Sequence, residues 1–250
     1  MYTFESRIRY SEVDAAGGLK LTSLIDYLQD CSTFQSEDVG YGLQWLSDHG
    51  FIWVVNAWQV EIARLPRLGE RVTVGTNPYD IHGFIGLRNF FMDDAEGNRL
   101  VVANSVWSFL DLNTNAAARA PEEMKEAYGL GEKLPMEYLG RKLPFPADGE
   151  TVRAESFEVR TEHLDTNLHV NNGQYIRLAT EQAFAGTVPE ITRIRAEYKK
   201  QAHLGDVFCP RINRRSADGG MLVTVCFSDE ADETWCTVEF TCAHGTEGAV

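Results

Sequence analysis

One octapeptide in this sequence, Asp165-Thr166-Asn167-Leu168-His169-Val170-Asn171-Asn172, gathers side chains that can move a proton and hold an oxyanion. In an extended segment residues two apart project to one side, so Asp165, Asn167 and His169 are expected to converge while Thr166 and Leu168 turn away. Histidine titrates near neutrality and can take a proton from water. An asparagine amide can hold that water or donate to a developing oxyanion, and a carboxylate can orient either group. The amides of a following helix N-terminus would further stabilise a carbonyl oxygen gaining charge. The set fits hydrolysis of an activated acyl group and requires no cofactor. Part of the octapeptide has a plainer use: Asn171 and Asn172 suit helix capping, and Asn171 with Gln174 has the spacing of a capping box.

The elements that must carry this loop are written twice. Phe4, Ser6 and Ile8 alternate with Glu5 and Arg7 as in a strand, and a loop with Gly17-Gly18 comes next. Leu21, Leu24, Ile25 and Leu28 then mark a helix from near residue 22 to about 38, with Thr22 and Ser23 available as caps. A short connection around Leu43 to His49 precedes strand patterns at 51–63, 70–81, 83–92 and 99–112, with a hairpin signal at 93–98. From Ala116 to Gly149 the pattern lapses, apart from a short helical stretch at 121–128, and Pro135, Pro144 and Pro146 punctuate an interdomain crossing. Strand alternation resumes at 151–160. After it come a polar loop, a helix from about 172 to 185 and strands near 191–201, 206–215, 221–228 and 234–243, with a turn at 217–220.

Asp14 before the first helix matches Asp165 before the second, and residues 60–70 align without gaps on 196–206, sharing Leu68-Gly69 with Leu204-Gly205. The pattern implies a tandem duplication, each half an α+β unit whose antiparallel sheet wraps one helix. The expected division is residues 1–118, a linker at 119–149 and residues 150–250. Aligned on the two aspartates, Asn167 faces Ala16 and His169 faces Gly18. A scaffold that manages with Ala and Gly in one copy does not need Asn and His in the other, so these two residues are assigned to a site.

Composition removes several alternatives. The chain has 250 residues, 44% of them hydrophobic, enough for a real core. With 37 acidic against 23 basic residues the formal charge is -14, which opposes binding to nucleic acid or to an anionic membrane. No apolar run reaches membrane-spanning length, and Met1 to Arg7 carries no export signal, so the expected location is cytoplasmic. The five cysteines form no CxxC pair and suit buried thiols of a reducing compartment. Cys31 could be cast as a nucleophile with His49 or His82, but its helical spacing among Leu28 and Phe34 makes it a core residue. His163 and His169 lack a matching pair and His203 and His244 stand alone, so no metal is expected, and Gly83, Gly86 and Gly97 form no phosphate loop.

Asp-x-Asn-x-His-Val-Asn-Asn followed by Tyr175 resembles the active-site segment of the acyl-ACP thioesterases, a plant and bacterial family built as two fused (tandem) hotdog domains. The likeness spans the chain, including the first core helix, the linker and the strand Glu197-Tyr198-Lys199-Lys200. It implies an α+β double hotdog that hydrolyses fatty acyl-ACP to free fatty acid and holo-ACP, with catalysis in the second domain and most of the acyl pocket in the first. Acyl carrier protein is the implied partner, and a homodimer is an open expectation. Plant members carry a catalytic Glu-Cys pair where this chain has Gln201-Ala202, and alanine supplies no thiolate. The implied site is therefore His169 assisted by Asp165, Asn167 holding water or the thioester oxygen, and Gln201 as a secondary positioning group. An acyl-CoA thioesterase, a non-catalytic acyl-binding protein and a hotdog dehydratase are the rivals. Trp53, Trp58, Phe84, Phe90, Phe91, Trp107 and Phe109 could wall an acyl tunnel or simply fill the core. Arg193, Arg195, Lys199, Lys200, Arg211, Arg214 and Arg215 form either a docking patch for an acidic carrier or solvated strand edges.

Overall fold

A computed structural model describes residues 1–184, 186, 188–217 and 220–243. The chain divides into two compact units, Met1–Leu139 and Gly140–Val250.

The first unit contains β1 (Tyr2–Arg7), α1 (Leu21–Asp38), α2 (Leu43–His49), β2 (Phe51–Ile62), β3 (Arg71–His82), β4 (Ile85–Asp94), β5 (Arg99–Asp111), β6 (Ala116–Ala117) and α3 (Glu122–Tyr128). Its antiparallel sheet runs β1-β3-β4-β5-β2, with β6 on β5. Helix α1 packs on β3, and its Leu24, Ile25, Leu28 and Cys31 are all fully buried. Burial pushes the Cys31 thiol up to about 12, so it is no nucleophile at neutral pH. Thr22 and Ser23 do not cap α1: the helix starts at Leu21 after Lys20, with no side-chain cap. Burial of Leu19 and Leu21 fixes the start instead. Residues 43–49 are a helix where a connection was expected. Leu46 joins the buried cluster of Ile81, Phe109, Ala120, Met124 and Tyr128.

That cluster draws α3 into the first unit, and a row of side chains across the sheet ties down the segment from Glu132 to Leu139. Asn77, Asn89, Asn104 and Gln59 are cross-strand neighbours on β3, β4, β5 and β2. The Asn77 amide donates to the Glu132 carbonyl (2.6 Å), and Asn89 Oδ1 accepts from Leu134 N–H (3.0 Å) and the Tyr138 hydroxyl (2.9 Å). Gln59 accepts from Leu139 N–H (2.9 Å) and donates to the Glu137 carbonyl (2.7 Å). Backbone without a sheet partner is thereby satisfied.

The second unit contains β7 (Glu150–Arg153), β8 (Phe157–Glu158), α4 (Asn172–Ala183), β9 (Ile191–Tyr198), β10 (Val207–Ala217), β11 (Gly220–Ser228) and β12 (Thr234–Ala243). Its antiparallel order is β9-β12-β11-β10-β7, with β8 also on β10 and α4 against β10, β11 and β12. The strand expected at 151–160 is split into β7 and β8, which pair with β10 on either side of Pro210. Proline has no N–H to give, so the ladder breaks there. Ala217 pairs with Gly220, while Asp218 and Gly219 of the expected turn lie outside the described residues, as do Ala185 and His244.

A second polar row, Asn213, Thr224, Glu239 and Arg195, crosses this sheet. Its outer members serve the chain as those of the first row do. Arg195 donates to the Gly140 carbonyl (2.7 Å) and Asn213 to that of Asp148 (2.7 Å). The duplication thus reaches to individual side chains.

Candidate active site

The loop at 165–169 is a tight turn, not an extended segment. The Asp165 carboxylate accepts the backbone N–H groups of Asn167 (2.8 Å) and His169 (3.4 Å). Asp165 N–H donates to the His169 carbonyl (2.8 Å), closing the turn, and Leu168 is held at φ +61°. Asp165 therefore shapes the backbone beneath His169 and makes no hydrogen bond to its ring. Strand alternation does not bring Asp165, Asn167 and His169 together; one carboxylate folding the chain around itself does.

Flanking contacts fix the turn in place. Leu164 and Val170 form a β-bridge, and Val170 N–H donates to the Ala202 carbonyl (2.9 Å). Before the turn, His163 is buried and its Nδ1 accepts the Arg160 N–H (3.0 Å). Burial, with Arg177 nearby, holds His163 below its ordinary pKa, so it is neutral and structural. After the turn, Asn171 caps α4 by accepting Gly173 N–H (2.8 Å). No capping box forms, because Gln174 accepts from Arg177 instead (2.7 Å). The plainer use of Asn171 is the one the structure adopts.

Within this frame Asn167 is exposed, and among the described residues its side chain makes no hydrogen bond. The His169 ring is part-buried. Desolvation, then the neighbouring His203, hold its pKa below the ordinary value, against an upward pull from Asp165. It is therefore neutral at neutral pH, the form that accepts a proton from water. The His203 ring lies 4.6 Å from that of His169, centroid to centroid, at an interplanar angle of 70°. Sequence reasoning left His203 standing alone, although the gap-free repeat places it opposite Arg67, one residue after Gln201-Ala202. Gln201 is exposed, and among the described residues its side chain makes no hydrogen bond to Asp165, Asn167 or His169.

The arginines and lysines of this unit are largely engaged. Arg195 and Arg215 both bind the buried Glu239, at 3.5 and 3.0 Å. Lys200 pairs with Glu233 (2.9 Å), Arg214 donates to the Ala183 carbonyl (2.7 Å), and Arg211 lies over the Phe145 ring. These contacts favour a fold-holding role over a free docking patch. A groove of about 820 Å³ beside α4, lined by Glu155, Glu158, Arg160, Glu162, Arg177 and Glu181 among others, is too charged for an acyl chain and includes no member of the expected site. Among the described residues no group of three His, Cys, Asp or Glu side chains could hold a metal, and no helix is long and apolar enough to cross a membrane.

Comparison with known proteins finds relatives of both halves of the chain. The model of the acyl-ACP thioesterase N-terminal domain matches residues 1–128, and that of the C-terminal domain matches 147–237. The chain is 28% identical over 202 residues to the chloroplastic acyl-[acyl-carrier-protein] hydrolase FATB2 of Cuphea viscosissima, covering 74% of this chain and 46% of that protein. It is 27% identical over 237 residues to the chloroplastic palmitoyl-acyl carrier protein thioesterase of Arabidopsis thaliana, covering 87% and 56%. The chain thus spans about half the length of the curated relatives it matches. Among solved structures, a putative oleoyl thioesterase from Lactobacillus plantarum superposes with a TM-score of 0.86 at 25% identity, over 97% of this chain and 96% of that one. The 12:0-ACP thioesterase of Umbellularia californica shares the fold, with a TM-score of 0.77 at 19% identity over 96% of each chain. Each unit is a hotdog, and the α+β tandem arrangement expected from sequence holds.

Proposed function

The chain belongs to the acyl-ACP thioesterase family, and on that premise we propose that it hydrolyses fatty acyl-ACP to free fatty acid and holo-ACP. His169 takes a proton from water as the water oxygen attacks the thioester carbonyl carbon. Asn167 holds that water or donates to the carbonyl oxygen as charge develops on it. The tetrahedral intermediate then collapses, the C–S bond breaks, and the proton on His169 passes to the departing thiolate of the carrier. Asp165 contributes by fixing the backbone of both residues, and Gln201 is at most a group that positions water. The first unit is assigned the greater part of the acyl pocket, where each buried methylene is worth about 0.8 kcal/mol.

One observation carries this reading: on a turn present in both units, only the second bears a neutral imidazole and an uncommitted amide. Thiol release from matched panels of acyl-ACP and acyl-CoA tests it. Hydrolysis of acyl-ACP is expected, with a loss of about 10²-fold or more in His169→Ala. Turnover of acyl-CoA alone would move the assignment to the carrier-independent rival. Tight acyl binding without release would make the protein a binding module.

A further inference from the structure

The two hotdogs differ at one more position beside the candidate site. In the first unit Arg67 stands where the second has His203, and its guanidinium donates to the Ala16 carbonyl (2.7 Å), pinning the turn. The backbone N–H of Arg67 donates to Glu70 Oε1 (2.9 Å), and that of His203 donates to Asp206 Oδ2 (2.7 Å), so the two segments share one backbone design. His203 is too short to repeat the pinning contact. Its ring lies instead edge-on to His169, 4.6 Å between centroids, in the connection between β9 and β10 that the Val170–Ala202 hydrogen bond fixes against the turn.

We propose that His203 is a positioning residue for His169, its imidazole setting the protonation state in which His169 meets water. The charged groups facing the pair are few. Asp165 lies beneath His169 and favours its cation, while the Asp206 carboxylate stands 3.8 Å from His203 Nδ1. Two cationic rings this close repel, so the pair holds at most one proton readily. A charge on the His203 ring therefore opposes a second one on His169. His169 thereby remains an available base further into the acid range.

This inference rests on the reading of His169 as the base, and the test separates the two. The ring protons of His169 and His203 are titrated by NMR in the full chain, in wild type, His203→Asn and His203→Arg. The arginine variant installs the residue found at the matching position of the first unit. Acyl-ACP hydrolysis is followed in parallel between about pH 5.5 and pH 8. In His203→Asn the His169 midpoint is expected to rise, and the ratio of kcat/KM at about pH 8 to that at about pH 5.5 to grow about threefold. In His203→Arg the midpoint stays at or below that of wild type and the ratio does not grow. A merely structural role would lower activity in both variants without opposite movements of His169. An unchanged His169 midpoint in both, with wild type active on acyl-ACP, overturns the proposal. Opposite movements in an enzyme inactive on every thioester would uphold the coupling and overturn the functional reading.

Discussion

The turns at 14–18 and 165–169 have the same skeleton and different surfaces. In both, an aspartate accepts the N–H groups two and four residues on: Asp14 from Ala16 (2.9 Å) and Gly18 (3.0 Å), Asp165 from Asn167 and His169. In both, the aspartate N–H donates to the carbonyl four residues on at 2.8 Å, and a β-bridge closes the flanks. The residue three after the aspartate has positive φ in both, +78° at Gly17 and +61° at Leu168. The shared aspartate is thus scaffold, and the proposed chemistry falls to two of the side chains that differ, Asn167 for Ala16 and His169 for Gly18. Leu168 is the departure that costs stability: a branched residue where its twin is glycine, 69% exposed and with little burial to offset the left-handed backbone.

Attacking the difference gives the largest expected effect. Asn167→Ala should lower kcat on acyl-ACP by about 10²-fold, measured by thiol release, because a donor to developing charge is lost. Wild-type kcat would transfer that duty elsewhere, with Gln201 the first candidate.

Attacking the likeness should affect both turns alike. Asp14→Ala and Asp165→Ala should each cost about 1 to 2 kcal/mol in urea unfolding, the loss of two backbone hydrogen bonds to a partly solvated carboxylate. A cost confined to Asp165 would contradict the shared skeleton.

Much of this was legible in the sequence, and the failures have physical causes. Long strands with two-residue alternation, and helices α1 and α4 with repeated apolar spacing, were visible because each pattern is local. The octapeptide was visible because three reactive residue types fall within five positions. Helix α2 was not, since seven residues offer only Leu43 and Leu46 as periodic signal. The break between β7 and β8 was not, since its cause, Pro210, lies on the neighbouring strand. His203 and the row Asn77, Asn89, Asn104 and Gln59 depend on register across strands, which no local window contains. Alternation along 165–169 failed, because the turn forms around the Asp165 carboxylate through backbone N–H groups rather than as a strand.

A pH scan sharpens the comparison one step upstream. Glu12 and His163 hold matching places, each accepting a backbone N–H, from Arg9 (2.7 Å) and Arg160 (3.0 Å). Desolvation pulls Glu12 upward, but the Arg9 N–H and guanidinium outweigh it and leave the carboxyl below its ordinary 4.5. Burial leaves His163 below 6.5. Both groups are depressed in the folded state, so each contributes stability above its unfolded pKa and loses it as pH falls through the folded one. Unfolding followed by hydrogen exchange should therefore show the second unit weakening from about pH 6.5 downward, and Glu12 costing the first unit stability only below about pH 4.5. Simultaneous weakening from pH 6.5 would contradict the assignment of His163.

The smallest effect belongs to Leu168→Gly. Relief of the left-handed backbone should stabilise the chain by about 0.5 to 1 kcal/mol in urea, with kcat changed less than in Asn167→Ala. Destabilisation would mean that the exposed Leu168 side chain makes a contact worth more than the strain.

The most direct test rewrites the second turn as the first, Thr166→Ala and Asn167→Ala with Leu168→Gly and His169→Gly, and measures kcat/KM on acyl-ACP alongside the urea midpoint. A common skeleton bearing chemistry on only two side chains predicts a loss of about 10³-fold or more at an unchanged or higher midpoint. Turnover close to wild type, from a chain that still folds, would contradict it.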